Sequence, residues 1–174
     1  RVLENLSASK ATAMTTLTAA VVPILQERHK RIPSIREVIP TCVQTKKFLS
    51  SPMPSGQLTC LLSGTFNNYY DIDRTREVLA AIRKDIDLRV IWARAGESPT
   101  QSLSVGEDEV ISANYSQMPD IVKNSHFGIA ICKLNNLDSL AAAVPTKIGE
   151  FLASGRPVII SKGIGDLDQM IEST

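Results

Sequence analysis

The chain is 174 residues long, 43% of them hydrophobic, and it carries a formal net charge of +1. This length suits one domain, or one domain and part of another, with enough apolar residues for a core. The near-neutral charge gives no electrostatic reason to expect nucleic acid or an acidic surface as a partner. No apolar run reaches the length of a membrane span, and there is no signal peptide. The chain begins in mid-pattern without a methionine, so we expect a fragment of a longer protein.

The cysteines and histidines indicate neither disulfides nor a metal. Cys42, Cys60 and Cys132 are widely spaced, odd in number and flanked by apolar residues, which is typical of buried free thiols in a reducing compartment such as the cytoplasm. His29 and His126 lack the paired spacing of metal ligands, so we expect no metal site.

The first third of the chain predicts short elements followed by a linker. The predicted elements are the end of a helix over residues 1–10, a strand over 11–17, a helix over 18–31 and a strand over 35–39. Residues 41–56 lack helical or strand periodicity and contain two prolines and three serines, which is typical of a linker. We therefore place a domain boundary after residue 48.

From residue 57 onward, apolar strands alternate with amphipathic helices. The predicted strands are 58–63, 88–93, 109–113, 127–132 and 157–160, and the predicted helices are 71–84, 118–124, 145–154 and 166–172. Residues 94–106 are polar and without a pattern. Because each strand is a near-continuous apolar run, we predict an α/β fold with a Rossmann-like, doubly wound parallel sheet covered on both faces.

Residues 145–160 have the clearest local pattern, which is a short helix, a glycine turn and a buried strand. Pro145 suits the first position of a helix, where a missing N–H is tolerated. Gly155 suits the left-handed residue that ends a helix. We expect the apolar face of this helix to consist of Ile148, Phe151 and Leu152.

The start of this helix is the best candidate for a binding site. Thr146, Lys147 and Glu150 lie near its first turn, where free backbone N–H groups attract a phosphate. A carboxylate one turn along the helix can accept hydrogen bonds from sugar hydroxyls. The alternatives are that Glu150 is an ordinary first-turn acid stabilised by the helix start and that Lys147 is a plain solvated lysine.

Other loops offer candidates because ligands of open parallel sheets bind beyond the carboxyl ends of the strands. Gly64 follows the first strand of the sheet and lets a ligand approach the backbone, unless it serves only the turn. Tyr69 and Tyr70, in the same loop, either contact a ligand or pack on neighbouring loops. This loop has neither the P-loop pattern nor the three-glycine dinucleotide fingerprint. Arg94, just past another buried strand, is an equally open candidate.

Two further polar residues are interpreted as structural. Asp166 precedes the last helix, and N-capping alone accounts for it. We expect His126 to be structural or to face solvent. No Ser/His/Asp or Cys/His constellation is supported, so the sequence names no catalytic residue.

Residues 145–159 resemble the P-x-K-x-x-E-x-x-A-x-G-x-P-V-I signature of family 4-type retaining glycosyltransferases of GT-B fold. Weaker likenesses support it in the expected order. They are residues 16–18 with the end of the last N-lobe strand, 39–43 with the junction between the two lobes, 63–65 with the first C-lobe glycine loop, and 118–122 with the helix after the base-binding loop. The resemblance implies that residues 1–48 are the end of the acceptor lobe and that residues 49–174 are the C-terminal lobe.

The resemblance also implies a function. The C-lobe would bind a UDP-, GDP- or ADP-linked sugar as substrate, without a cofactor, and the enzyme would transfer the sugar to a glycan or lipid-linked acceptor with retention. The protein would be cytoplasmic, with peripheral association at the inner face of the membrane through the other lobe. The fragment alone would bind the donor but turn over poorly.

Site residues carry over position by position. By resemblance, Glu150 holds the ribose hydroxyls, and the N–H groups around Thr146 and Lys147 face the diphosphate. The loop that begins with Gly64 and Thr65 lies against the phosphates. The loops that contain Arg94 and Tyr115 frame the base.

Two departures from the family pattern keep alternatives open. Ala142 stands where the E-x7-E pattern has its first glutamate, and Thr65 stands where an arginine follows the loop glycine. These departures favour either a related subgroup, in which Lys147 supplies part of the missing charge, or a sugar-nucleotide-binding module without catalysis. A sugar-nucleotide epimerase of the same architecture is the third alternative.

Overall fold

The structure is a computed structural model that describes residues 2–66, 69–94, 108–135 and 137–173. The helices and strands, in chain order, are α1 (Val2–Lys10), β1 (Ala13–Thr16), α2 (Val21–Arg28), β2 (Ile35–Val38), β3 (Leu58–Gly64), α3 (Ile72–Ile82), β4 (Leu88–Arg94), β5 (Glu109–Ser112), α4 (Met118–Lys123), β6 (Phe127–Ala130), α5 (Leu137–Ala141), α6 (Thr146–Ala153), β7 (Val158–Ile160) and α7 (Leu167–Glu172).

Every predicted helix and strand has a counterpart at nearly the predicted place. Within the described ranges, the addition is α5, for which the sequence predicted no element, because five residues are too few to show a helical period. The predicted patternless stretch 94–106 falls, beyond Arg94, on residues outside the described ranges.

The chain divides into two compact units. The first consists of Arg1–Thr41, Leu134–Pro145 and Lys162–Thr174, and the second of Cys42–Lys133 and Thr146–Ser161. The predicted boundary after residue 48 concerns the lobes of a larger protein, and it stays a prediction.

The second unit is built on a parallel sheet with the strand order β5-β4-β3-β6-β7. The chain adds β4 and β5 on one side of β3 and then β6 and β7 on the other, so the strand order reverses between β3 and β6. This is the predicted Rossmann-like, doubly wound α/β arrangement, which is confirmed. At the carboxyl ends, Gly64, Arg94 and Ser112 are register partners across β3, β4 and β5.

Two apolar clusters cover the two faces of this sheet. Successive residues of β3 alternate between them, because side chains along a strand point to opposite faces. The first cluster includes Cys60 and Leu62 together with Trp92, and α3 contributes to it. The second includes Leu61, α4 and α6 residues, and Phe48 from the stretch before β3. The predicted linker is therefore packed in the core at Phe48.

The first unit contains a two-stranded parallel sheet of β1 and β2. Asp166 precedes α7, as predicted, but its carboxylate makes no capping bond to that helix. Instead, it accepts hydrogen bonds from the backbone N–H groups of Ala19 and Ala20, at 2.6 and 2.9 Å, just before α2. The N-capping interpretation of Asp166 is therefore wrong, because its partners belong to another helix start. None of the helices within the described ranges is long and apolar enough to cross a membrane.

A glycine in the interior strand β6 provides a test of this packing. A Cβ atom added at Gly128 would overlap the ring of Phe151, which is fully buried. We expect Gly128→Ala to lower the free energy of unfolding by about 1–3 kcal/mol, because an overpacked core must shift. The measurement is urea denaturation of both proteins.

Gly149→Ala is the matched control. Its added Cβ would lie 3.6 Å from the Cβ of Val43, an ordinary contact, and the residue is inside α6. We expect this change to stabilise by roughly 0.5–1 kcal/mol, because alanine loses less backbone entropy than glycine in a helix. Equal effects of the two changes would contradict the packing described here.

Candidate functional site

The candidate site lies at the carboxyl ends of β3 and β6, where the strand order reverses. Open α/β sheets bind their ligands at this kind of switch point. The seven predicted donor-binding residues all belong to the second unit.

Lys147 is the central charged residue of the site. It lies in the first turn of α6, and only 9% of its surface is exposed. Its Nζ donates a hydrogen bond to the backbone carbonyl of Ser63 and lies 3.8 Å from the centroid of the Tyr70 ring. Burial lowers the pKa of the Lys147 ammonium to about 8, against the opposing effects of Cys132 and Glu150. The interpretation of Lys147 as a plain solvated lysine is therefore wrong.

Gly64 makes room for this ammonium. Its φ is +135°, which favours glycine, and an added Cβ would lie 2.7 Å from the Lys147 Nζ. The sequence predicts that Gly64 lets a ligand approach the backbone. In the structure, the space on the Cβ side of Gly64 is instead taken by the lysine.

Glu150 lies one turn further along α6 and is also buried, with 8% of its surface exposed. Burial raises the pKa of its carboxyl group, and the charge of Lys147 opposes this rise. A buried carboxylate can accept hydrogen bonds from hydroxyl groups, and a phosphate can bind where an ammonium and a helix start meet. The structure thus buries both Lys147 and Glu150, one turn apart on α6, and the charge of each acts on the other.

The loop after β6 supplies residues that sequence reasoning did not place in the site. The backbone N–H of Cys132 donates a hydrogen bond to the Ser161 hydroxyl at 3.1 Å. The Cys132 thiol is buried, as predicted. Burial raises the pKa of this thiol, and interactions with Tyr69, Lys147 and Ser161 oppose the rise. Cys132 also forms a β-bridge with Tyr70, so the two tyrosines pack on a neighbouring loop. The apolar strand predicted over residues 127–132 includes Cys132, but it does not indicate that this residue acts electrostatically on Lys147.

The remaining predicted residues are more exposed or lie further along the sheet edge. Thr65 and Thr146 are exposed, and half-buried Arg94 ends β4 beside Gly64. Tyr115 follows the edge strand β5 and is 47% exposed. Its ring contacts Phe48, with 6.2 Å between centroids, and the Lys47 Nζ lies 5.1 Å from its centroid.

The details of α6 correct two predictions. The helix begins at Thr146, so Pro145 lies just before it rather than at its first position. Ile148 and Phe151 are buried, but Leu152 is 60% exposed, so it does not belong to the apolar face. Gly155 has a φ of +71° and ends the helix as predicted.

Arg156 is a buried residue for which the sequence predicts no role. Its guanidinium donates hydrogen bonds to the Ser51 carbonyl and hydroxyl and to the carbonyls of Pro52 and Lys123, at 2.8–2.9 Å. It therefore ties the stretch before β3 to the end of α4 and to the turn after α6. No local pattern distinguishes an arginine between a glycine and a proline.

No family model matches the sequence, and no curated protein matches it. Solved structures do match it. TarM has a TM-score of 0.68 at 13% identity, and the match covers 96% of this chain and 33% of TarM. A chain of the GtfA/B complex has a TM-score of 0.62 at 15% identity, over 95% of this chain and 33% of that chain. Both neighbours are GT-B glycosyltransferases.

The second unit of the chain has the Rossmann-like α/β fold of one GT-B lobe. At these identities the likeness shows the fold alone, and the chain spans about one third of each neighbour. Its five-stranded sheet matches a Rossmann-like GT-B lobe, as the resemblance implied. Membership of the family 4 subgroup stays a prediction.

Proposed function

We propose that this chain is the donor-binding part of a glycosyltransferase that takes a nucleoside-diphosphate sugar at the switch point. The observation that carries the proposal is the buried pair of Lys147 and Glu150 at the start of α6. Burying an ammonium costs free energy unless a charged or hydrogen-bonded partner compensates for its lost hydration. The diphosphate of the donor is such a partner, and the backbone N–H groups at the start of α6 donate to it as well.

The proposed chemistry follows from where charge develops. When the bond between sugar and diphosphate breaks, negative charge gathers on the leaving phosphate, and the Lys147 ammonium with the N–H groups of α6 stabilises it. Glu150 orients the nucleotide by accepting hydrogen bonds from the ribose hydroxyls. The sugar passes to a glycan or lipid-linked acceptor with retention, and the acceptor is held by the rest of the protein. The proposal names no catalytic residue.

Buried thiols support a reducing compartment. Cys60 and Cys132 are buried thiols, whereas Cys42 is exposed, so the prediction of a buried thiol is wrong for Cys42. We therefore propose that the reaction takes place in the cytoplasm.

A binding module without catalysis is the second candidate. Ala142 and Thr65 motivate it, because both lack the charged groups that the family pattern has there. The epimerase alternative needs acid/base groups at the site, and His126, the histidine of the second unit, lies away from the switch point. His29 bonds to Asn5, and His126 accepts from the Thr59 N–H at the opposite end of β3. Transfer and donor-hydrolysis assays on the full-length protein distinguish the first two candidates.

Donor binding is tested by calorimetry with UDP-, GDP- and ADP-glucose. We expect the chain to bind at least one of them and Glu150→Ala to weaken that binding about tenfold, because a charged acceptor for the ribose diol is lost. Thermal stabilisation by the same ligand checks the result independently, since bound ligand stabilises the folded state by RT ln(1 + [L]/Kd).

Glu77→Ala is the matched control, because Glu77 is an exposed glutamate on α3 that pairs with Arg74. It should leave the affinity unchanged. The proposal fails if none of the three nucleotides binds, and the role of Glu150 fails if Glu150→Ala binds as well as Glu77→Ala.

A further inference from the structure

The ammonium of Lys147 is held by an unusual set of neighbours. The Ser63 carbonyl accepts one of its hydrogen bonds, and the face of the Tyr70 ring lies 3.8 Å from the Nζ. The Phe66 ring is further away, with its centroid 6.0 Å from the Nζ. A cation this close to the face of an aromatic ring is attracted by the ring quadrupole, and more strongly where water is excluded.

The backbone that carries the Tyr70 ring is held by hydrogen bonds on both sides. The Asp71 N–H donates to the Ile131 carbonyl at 2.9 Å, and the Lys133 N–H donates to the Tyr69 carbonyl at 3.0 Å. Between these two bonds, Tyr70 forms an antiparallel bridge with Cys132. The loop before α3 is thus held on the loop after β6, which fixes the backbone from which the Tyr70 ring extends toward the lysine.

A ring differs from a carboxylate as a partner for a lysine that must bind an anion. A carboxylate in the place of the ring would hold the ammonium, but it would add to the effect of Glu150 and further reduce the positive charge toward a second anion. The Tyr70 ring attracts the ammonium while it carries no net charge. Burial also raises the pKa of the Tyr70 phenol to about 12, so the phenol stays neutral at physiological pH.

We propose that Tyr70 is a positioning residue that keeps the Lys147 ammonium charged and aimed at the diphosphate of the donor. This inference rests on the proposed function. It gives Tyr70, for which the resemblance implied no role, the role of keeping the buried Lys147 charged. The Ser63 carbonyl also accepts a hydrogen bond from the ammonium, and the absence of a side chain at Gly64 leaves room for it.

The test changes the ring without changing its shape. Residue 70 of the chain is replaced by phenylalanine that carries zero, one, two or three ring fluorines, each of which weakens the negative face of the ring. We expect Tyr70→Phe to bind UDP, GDP or ADP like the unmodified chain, and each fluorine to lower the affinity, to a total of about 3- to 30-fold. Tyr70→Leu should lose a similar factor. Affinity that does not depend on fluorination, or an equal loss in Tyr70→Phe and Tyr70→Leu, would overturn the proposal.

A second measurement needs no ligand and therefore separates this proposal from the proposed function. The rate at which the Lys147 amine reacts with acetic anhydride is followed against pH by mass spectrometry. We expect a midpoint near pH 8 in the unmodified chain and in Tyr70→Phe, and a lower midpoint in the trifluorinated and Tyr70→Leu variants. Two other titratable groups, Cys132 and Glu150, act on the charge of Lys147, and both are the same in every variant.

The outcomes are distinguishable. If the chain binds none of the three nucleotides but the midpoint moves as expected, the proposed function fails and Tyr70 still controls the charge of Lys147. If the midpoint is the same in all variants, the role of Tyr70 fails whatever binds. Melting temperatures of all variants exclude unfolding as the cause, because a merely structural role would change stability and leave the midpoint in place.

Discussion

Replacement of Lys147 with methionine should weaken nucleoside-diphosphate binding by about 10- to 150-fold, the range expected when charged hydrogen bonds to the diphosphate are lost. Methionine keeps the length and apolar stem of lysine and removes only the ammonium. Calorimetry with UDP, GDP and ADP, on the unmodified chain and on Lys147→Met, measures the effect.

Lys84→Met is the control for the change in net charge. Lys84 is exposed after the end of α3, so its loss changes the net charge equally but removes no group from the switch point. We expect it to leave the affinity within a factor of about two, because exposed charges are screened by salt. A loss in Lys84→Met as large as that in Lys147→Met would mean that net charge, and not the buried ammonium, attracts the nucleotide.

The affinity for nucleoside diphosphates should depend on pH, because Lys147 binds the diphosphate in its charged form. Burial lowers the pKa of free Lys147 to about 8, and a bound diphosphate must raise it, because an anion favours the charged form. Affinity should therefore be full below pH 8 and fall as the pH rises through 8. In Lys147→Met this alkaline decline should disappear. An unchanged decline in Lys147→Met would assign the titration to another group.

Folding stability should show the opposite trend in the same pH range. The pKa of Lys147 is lower in the folded state than the ordinary value of 10.5. Between about pH 8 and 10.5 the unfolded chain therefore holds a proton that the folded chain has released, so Lys147 makes the folded state more stable as the pH rises. Comparison with Lys147→Met isolates this contribution.

Arg156→Met should cause the largest loss of stability, about 3–5 kcal/mol. The guanidinium is 1% exposed and donates to four acceptors on Ser51, Pro52 and Lys123 at 2.8–2.9 Å. Methionine fills much of the volume but leaves these acceptors without their donor. Urea denaturation of the two proteins measures the loss.

Two further variants make this result specific. Arg156→Lys should recover only part of the loss, because an ammonium lacks the planar set of donors of a guanidinium. Arg89→Met removes an arginine whose partner Glu109 is exposed, and it should cost less than about 1 kcal/mol. The role assigned to Arg156 would be wrong if Arg156→Met were no less stable than Arg89→Met.

Much of the fold is predictable from short stretches of sequence. The strands of the second unit are apolar runs, and the alternation of strand and helix indicates a parallel sheet covered on both faces. Gly155 ends α6 in the left-handed conformation that its position predicts. The helix α5 was missed because five residues are too short for a period.

The candidate site was predicted in part, because some of its residues follow one another on α6. The positions of Lys147 and Glu150, three apart on a helix start, indicate that they lie near one another. Their burial was not predictable from that spacing. It depends on β3 and the loop after β6, and the Ser63 carbonyl that accepts from Lys147 is 84 positions away in the chain.

The sequence by itself determined the helix, glycine turn and strand of residues 145–160, and it determined that a lysine and a glutamate would share the start of that helix. Periodicity and turn residues act between neighbours in the chain, so they are visible there. Only the tertiary structure decided that the ammonium of Lys147 lies buried against Gly64 and the Tyr70 ring, and that Arg156 holds a segment 105 positions away. The physical reason is that the cost of burying a charge depends on which loops surround it, and the order of the strands sets those neighbours.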